Sequence, residues 1–90
     1  MAILDDVKGS LGISNTSKDA DITRTIDSAK QAMKMQGVQI IDETDPHTEQ
    51  CIILYCRAWY NFQGDGERYS AQFERMANAL ALELDYMEES

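Results

Sequence analysis

The stretch CIILYCRAWYNF, from Cys51 to Phe62, constrains this chain more than any other. It holds the only Trp, both Cys, two of the four Tyr and one of the two Phe, and within Cys51–Tyr60 only Arg57 is charged. Asp45-Pro46 precedes it, an N-cap residue followed by the imino acid that suits the first helical position. Gly64-Asp65-Gly66 follows it as a stop signal. The spacing predicts a helix. At about 100° per residue, Cys51, Ile52, Tyr55, Ala58, Trp59 and Phe62 share one broad face, and Ile53 and Tyr60 fall opposite, beside Gln50, Arg57 and Asn61. A helix apolar on nearly all sides belongs at the centre of a fold. In a chain of 90 residues the back of that helix is covered either by the N-terminal segment or by another chain.

The flanking segments supply the rest of an all-α, compact bundle of four helices: short, long, apolar central and long C-terminal. Leu4, Val7 and Leu11 mark a short first helix over residues 2–11 that ends at Gly12, with Gly9 inside it as a weak point. Ser14-Asn15-Thr16-Ser17 is a polar linker with N-cap candidates. Ile22, Ile26, Ala29 and Met33 give a narrow stripe on a second helix, residues 18–36, with Asp19 and Asp21 near its start, Lys30 and Lys34 near its end, and Gly37 as its stop. Val38-Gln39-Ile40-Ile41 reads as an extended loop between the second and third helices, which covers the core or reaches a neighbour. A last helix, residues 67–88, carries Tyr69, Phe73, Met76, Ala77, Leu80, Leu84 and Met87 on one side and packs antiparallel on the central helix. The length fits a single helical domain over residues 1–90.

Charge narrows the function. With 16 acidic and 8 basic residues the formal charge is −8, which opposes binding to nucleic-acid phosphates or anionic lipid. No apolar run has the length of a membrane span, and the acids of MAILDDVKGS are foreign to a secretory leader. A cytosolic chain is expected. Cys51 and Cys56 diverge by about 140° on one helix, so they are expected as buried free thiols.

No catalytic residue, metal ligand or cofactor site is assigned. His47 and Cys51 stand four apart, but one helical turn offers neither an oxyanion site nor an orienting acid. The paired spacing of structural zinc ligands is absent, and Asp42, Glu43 and Asp45 read as turn and cap residues outside any calcium-loop pattern. The aromatics at 59–62 lack the surrounding cations that a single-strand groove requires.

The order of parts resembles the small all-helical head–tail connector (adaptor) proteins of tailed bacteriophages and prophages. The resemblance rests on Leu4-Asp5-x-Val7-Lys8-x-x-Leu11-x-Ile13, on Asp19, Asp21, Ile22, Ile26 and Ala29, and on the apolar third helix ending in aromatics. It implies a non-enzymatic structural subunit with no cofactor. Such subunits form a ring beneath the phage portal, extend the DNA channel and dock the next tail or stopper protein. DNA passes without sequence-specific binding, and no membrane is involved. The location implied is the virion head–tail junction, reached from the host cytoplasm. A ring requires a head-to-tail contact between copies. Val38, Ile40, Ile41, Ile53, Arg57, Tyr60, Leu82 and Tyr86 are the candidate oligomer-interface residues: all but Arg57 lie off the main apolar stripes, and Arg57's partner is either in its own chain or in the next. The competing reading is an acidic helical inhibitor or regulator that binds a basic DNA-binding partner. That would require acids along one continuous face, whereas here they gather at helix starts, turns and the C-terminus.

Overall fold

A computed structural model of the chain describes residues 3–38, 41–42 and 44–89, with side chains through Leu82. It contains four α-helices, α1 (Ile3–Leu11), α2 (Asp19–Met35), α3 (Pro46–Trp59) and α4 (Gly66–Glu89), and no strand among the described residues. The helix order is as expected, and the bounds of α1, α2 and α4 agree to within about two residues, the scatter inherent in helix ends. Helix α3 stops at Trp59, short of Phe62, which was expected on its face: Asn61 takes a left-handed φ of 49, and Phe62–Gly64 form a separate 3-10 turn.

Helix α3 packs on all three others, most extensively on α4. Its middle is enclosed all round: Cys51, Ile52, Ile53, Leu54 and Cys56 are buried, and their azimuths span the whole wheel. The side expected to face either the N-terminal segment or another chain is covered from within. Ile53 is buried there, and the Arg57 guanidinium reaches the Ser10 carbonyl of α1 at 3.4 Å. The α2 stripe Ile22, Ile26, Ala29 and Met33 enters the same core, joined by Val7 of α1 and by Tyr69, Phe73, Ala77, Leu80 and Ala81 of α4.

Local chemistry fixes the ends. Asp45 caps α3, its Oδ2 accepting from the Thr48 N–H at 3.0 Å and from the Thr48 hydroxyl at 3.2 Å. Such a cap is worth about 1 kcal/mol. Helix α2 ends in a Schellman turn: the Val38 N–H bonds the Met33 carbonyl at 3.0 Å, the Gly37 N–H bonds that of Lys34 at 3.0 Å, and Gly37 takes φ +102. This turn folds Val38 back into the core, where it is 1% exposed. Of the two roles open to the 38–41 loop, Val38 therefore serves to cover the core. Ile41 is half-buried against it, and Ile40 lies outside the described residues. At the start of α2 the polar linker does not supply the cap. Lys18 occupies that position without a side-chain hydrogen bond, while Asn15 Oδ1 is spent on the Ser17 N–H and hydroxyl.

Candidate interaction site

Three large apolar side chains face solvent among the described residues: Met35 at 87% exposure, Leu82 at 71% and Trp59 at 61%. Leu82 was expected from its place outside the α4 stripe. Trp59 was expected on the covered face of α3, and there the structure differs. Azimuth assigns a side to a residue but does not say how far along the axis a neighbour extends. The core shell of α3 closes around 51–56, and Trp59 lies in the last turn, beyond it. Met35 is the last residue of α2, off the Ile22–Met33 stripe, a position that its spacing alone marks as outward.

Trp59 is exposed yet held in place. Its ring stacks on Tyr55 with centroids 6.1 Å apart and planes 19° apart. Tyr55 meets Phe73 of α4 edge-on at 5.1 Å. The ladder runs from the core to the surface and fixes the indole at the α3 C-terminal end. Met35 and Leu82 belong to the opposite end. There Gly37 approaches α4 so closely that a Cβ on it would lie 3.4 Å from the Ala81 Cβ.

Four other interface candidates, Val38, Ile53, Tyr60 and Arg57, make contacts inside the chain. Val38 and Ile53 are buried within the protomer, at 1% and 9% exposure. Tyr60 is half-buried; its hydroxyl donates to Asp21 Oδ2 at 2.7 Å and lies 3.2 Å from the Thr25 hydroxyl. Burial, with Asp21 adding to it, raises the Tyr60 phenol above its ordinary pKa despite the opposing Thr25 contact. Thr25 itself is buried, a polar core position that the apolar stripe gave no reason to expect. Arg57 has no acid partner among the described residues. Its guanidinium contacts the Ser10 carbonyl and lies 5.1 Å from the Phe62 ring centroid and 5.5 Å from that of Tyr69. A guanidinium at a helix C-terminus, over two aromatic faces, is stabilised by the helix dipole and by the ring quadrupoles. It joins α1 to the α3–α4 turn. The Tyr86 side chain lies outside the described residues.

Cys51 and Cys56 are free and fully buried, and burial pushes both thiols up to about 12. His47 is exposed in the first turn of α3. Among the described residues no group of three His, Cys, Asp or Glu side chains is placed to hold a metal ion, and no helix is long and apolar enough to cross a membrane. What the surface offers is a rigid aromatic anchor at one end and an aliphatic pair at the other, on a strongly acidic body.

Comparison with curated proteins and with solved structures returned no match. The chain does match the phage connector protein family over residues 3–89, nearly its whole length. It therefore belongs to that family of phage head–tail connector proteins, whose role in the virion is structural.

Proposed function

We propose that this chain is a ring-forming subunit beneath the phage portal, where it extends the DNA channel and offers a platform to the next tail component. The observation that carries this reading is the family match over residues 3–89. The physical chemistry supports it in two ways. A net charge of −8 suits a surface past which duplex DNA slides, since phosphates are repelled and no counterions are released by binding. Exposed Met35, Trp59 and Leu82 are unneeded for the core of one protomer and are available to other copies or to portal and tail proteins. Among the described residues, Leu82 is the expected interface residue with the most exposed surface, and Ile41 contributes from the rim of the loop.

Electron microscopy of the concentrated chain, and of the head–tail junction in intact particles, tests the proposal. The expected images show annuli of this subunit directly under the portal. A junction density with this chain absent, or present as single isolated copies, would sink the ring. In a lysate of phage lacking the gene, filled heads and free tails are expected to accumulate unjoined.

A further inference from the structure

Helix α1 is held to the rest of the molecule by a short set of ties. Val7 is its one fully buried residue, while Ile3, Leu4 and Leu11 rest partly buried against the core. By contrast α2 buries Ile22, Ile26, Ala29 and Met33, and α2 and α4 each pack on α3 directly, without α1 between them. Gly9 lowers the helix propensity of α1 itself. The segment that follows is exposed at Gly12 and at every residue from Ser14 to Lys18. Its hydrogen bonds stay local: the Gly12 N–H donates to Gly9, that of Ile13 to Lys8 and that of Ser17 to Asn15, and Thr16 accepts from the Asp19 N–H. None of these bonds ties the segment to α3 or α4.

The polar contacts of α1 pull in opposite directions. Lys8 pairs with Asp19, at the start of α2, at 2.7 Å, and the Ser10 carbonyl accepts from Arg57 at 3.4 Å, a long hydrogen bond. Against them, Asp6 stands within hydrogen-bond reach of Glu49 on α3, acid beside acid. Arg57 has support of its own: its guanidinium lies 5.1 Å from the Phe62 ring centroid and 5.5 Å from that of Tyr69. Its Nε is buried without a hydrogen-bond partner, a cost that the closed arrangement carries. We propose that α1 is a strap that lifts as a unit while α2, α3 and α4 stay packed, uncovering the side of α3 that carries Arg57 and, one turn earlier, Ile53. Both are among the residues expected at an interface, so the strap governs access to them. An element with few buried apolar contacts and an exposed hinge opens at lower free energy than the core it rests on. The lifting belongs to the isolated chain, and it stands or falls apart from the ring.

Native-state hydrogen exchange of the full chain at neutral pH, read by mass spectrometry, tests the strap. After correction for intrinsic rates, the amides of Val7–Leu11 are expected to exchange at least about tenfold faster than those of Ile52–Cys56. Low urea is expected to leave the α1 rates nearly unchanged while it speeds those of α3, because lifting one short helix exposes little surface and global unfolding exposes much. Two variants separate the openings. K8Q removes the ion pair and is expected to speed α1 exchange by about two- to fivefold. F73L thins the α3–α4 contact where Phe73 meets Tyr55 edge-on, and is expected to speed α3 exchange by about tenfold while α1 keeps its rate. The urea comparison within the unmodified chain needs neither variant. Exchange of α1 that shares the urea slope of α3, or that rises with F73L as much as α3 does, overturns the strap, because α1 then opens only when everything unfolds. Exchange of α1 at the rate of an unstructured peptide overturns it as well, because the helix is then not seated at all.

Discussion

Two glycines show how much the surroundings of a residue decide. A Cβ on Gly66 would lie 2.6 Å from Asn61 Oδ1 and 3.2 Å from the Ala58 carbonyl oxygen. Asn61 cannot simply swing aside, because it holds the turn in the left-handed region at φ 49 and accepts the Gly66 N–H. Gly66→Ala is therefore expected to destabilise the chain by about 1–3 kcal/mol in urea unfolding, through overpacking of the turn. Gly9 has nothing within 4 Å of the same position and lies inside α1. Gly9→Ala is expected to stabilise by about 0.5–1 kcal/mol, from helix propensity alone. Equal shifts at the two positions would refute the steric account of the turn. Both glycines are legible in the sequence, one as a stop and one as a weak point, but the contact that makes Gly66 irreplaceable is tertiary and leaves no trace in spacing. The thiols give a third residue-scale expectation. Burial raises Cys51 and Cys56 to about 12 from an ordinary value near 9. Below pH about 9 both folded and unfolded chains hold these protons. Above it the unfolded chain releases them and the folded chain does not, so stability falls as pH rises toward about 12. Urea midpoints across the alkaline range check the slope. A thiol reagent at neutral pH is expected to label neither cysteine until the chain unfolds.

Among the elements, α1 is the most conditionally held. It has nine residues, buries only Val7 fully, and is tied at its end by Arg57 and by the Lys8–Asp19 ion pair at 2.7 Å. Against these ties stands an acid pair: Asp6 of α1 faces Glu49 of α3. Desolvation first, and Asp6 second, raise the Glu49 carboxyl above its ordinary value. A carboxyl raised in the folded state contributes stability below its unfolded pKa and loses that contribution as pH rises through the folded value. At neutral pH the pair therefore weakens the docking of α1. Glu49→Gln is expected to raise the melting temperature at neutral pH, with the gain shrinking as the medium is acidified toward the carboxyl range. A gain that persists unchanged in acid would show that repulsion is not its source. The existence and order of all four helices could be read from periodicity, Asp45-Pro46 and the glycine stops, because those signals act within a few residues. What periodicity did not reach was the cap of α2, where the Ser17 N–H and hydroxyl both donate to Asn15 Oδ1 and leave Lys18 at the cap position, and the exposure of Trp59, where a wheel ignores how far the neighbouring helices run. Nor does spacing alone reveal that Val38 is drawn inward by the Schellman turn rather than left on the loop.

On the scale of the whole molecule, charge is the dominant long-range fact. The formal charge of −8 is carried on a body of 45 × 27 × 18 Å. Beyond Arg75 the sequence contains Glu83, Asp85, Glu88 and Glu89 and no Lys or Arg, so the last part of α4 adds only negative charge, at the helix end where the backbone dipole is also negative. At about 0.01 M salt the screening length is about 30 Å, comparable to the molecule, and most of its acids repel one another. At about 1 M it is about 3 Å, and only charges in near contact still interact. The opposing contribution is local. The Lys8–Asp19 ion pair is partly shielded, with Lys8 at 12% and Asp19 at 33% side-chain exposure, so salt weakens it less than an exposed pair. Self-repulsion therefore outweighs attraction, and the melting temperature is expected to rise steadily between low and high sodium chloride. A fall would mean that local pairs hold the fold and that the net charge costs it little. The same field acts on duplex DNA with the same sign. No retardation of DNA by the chain is expected at any of these salt concentrations, and retention on an anion exchanger is expected to weaken over the range in which the melting temperature climbs. Folding brings the acids together, which weakens the fold most at low salt, and a field of the same sign opposes the approach of DNA phosphates.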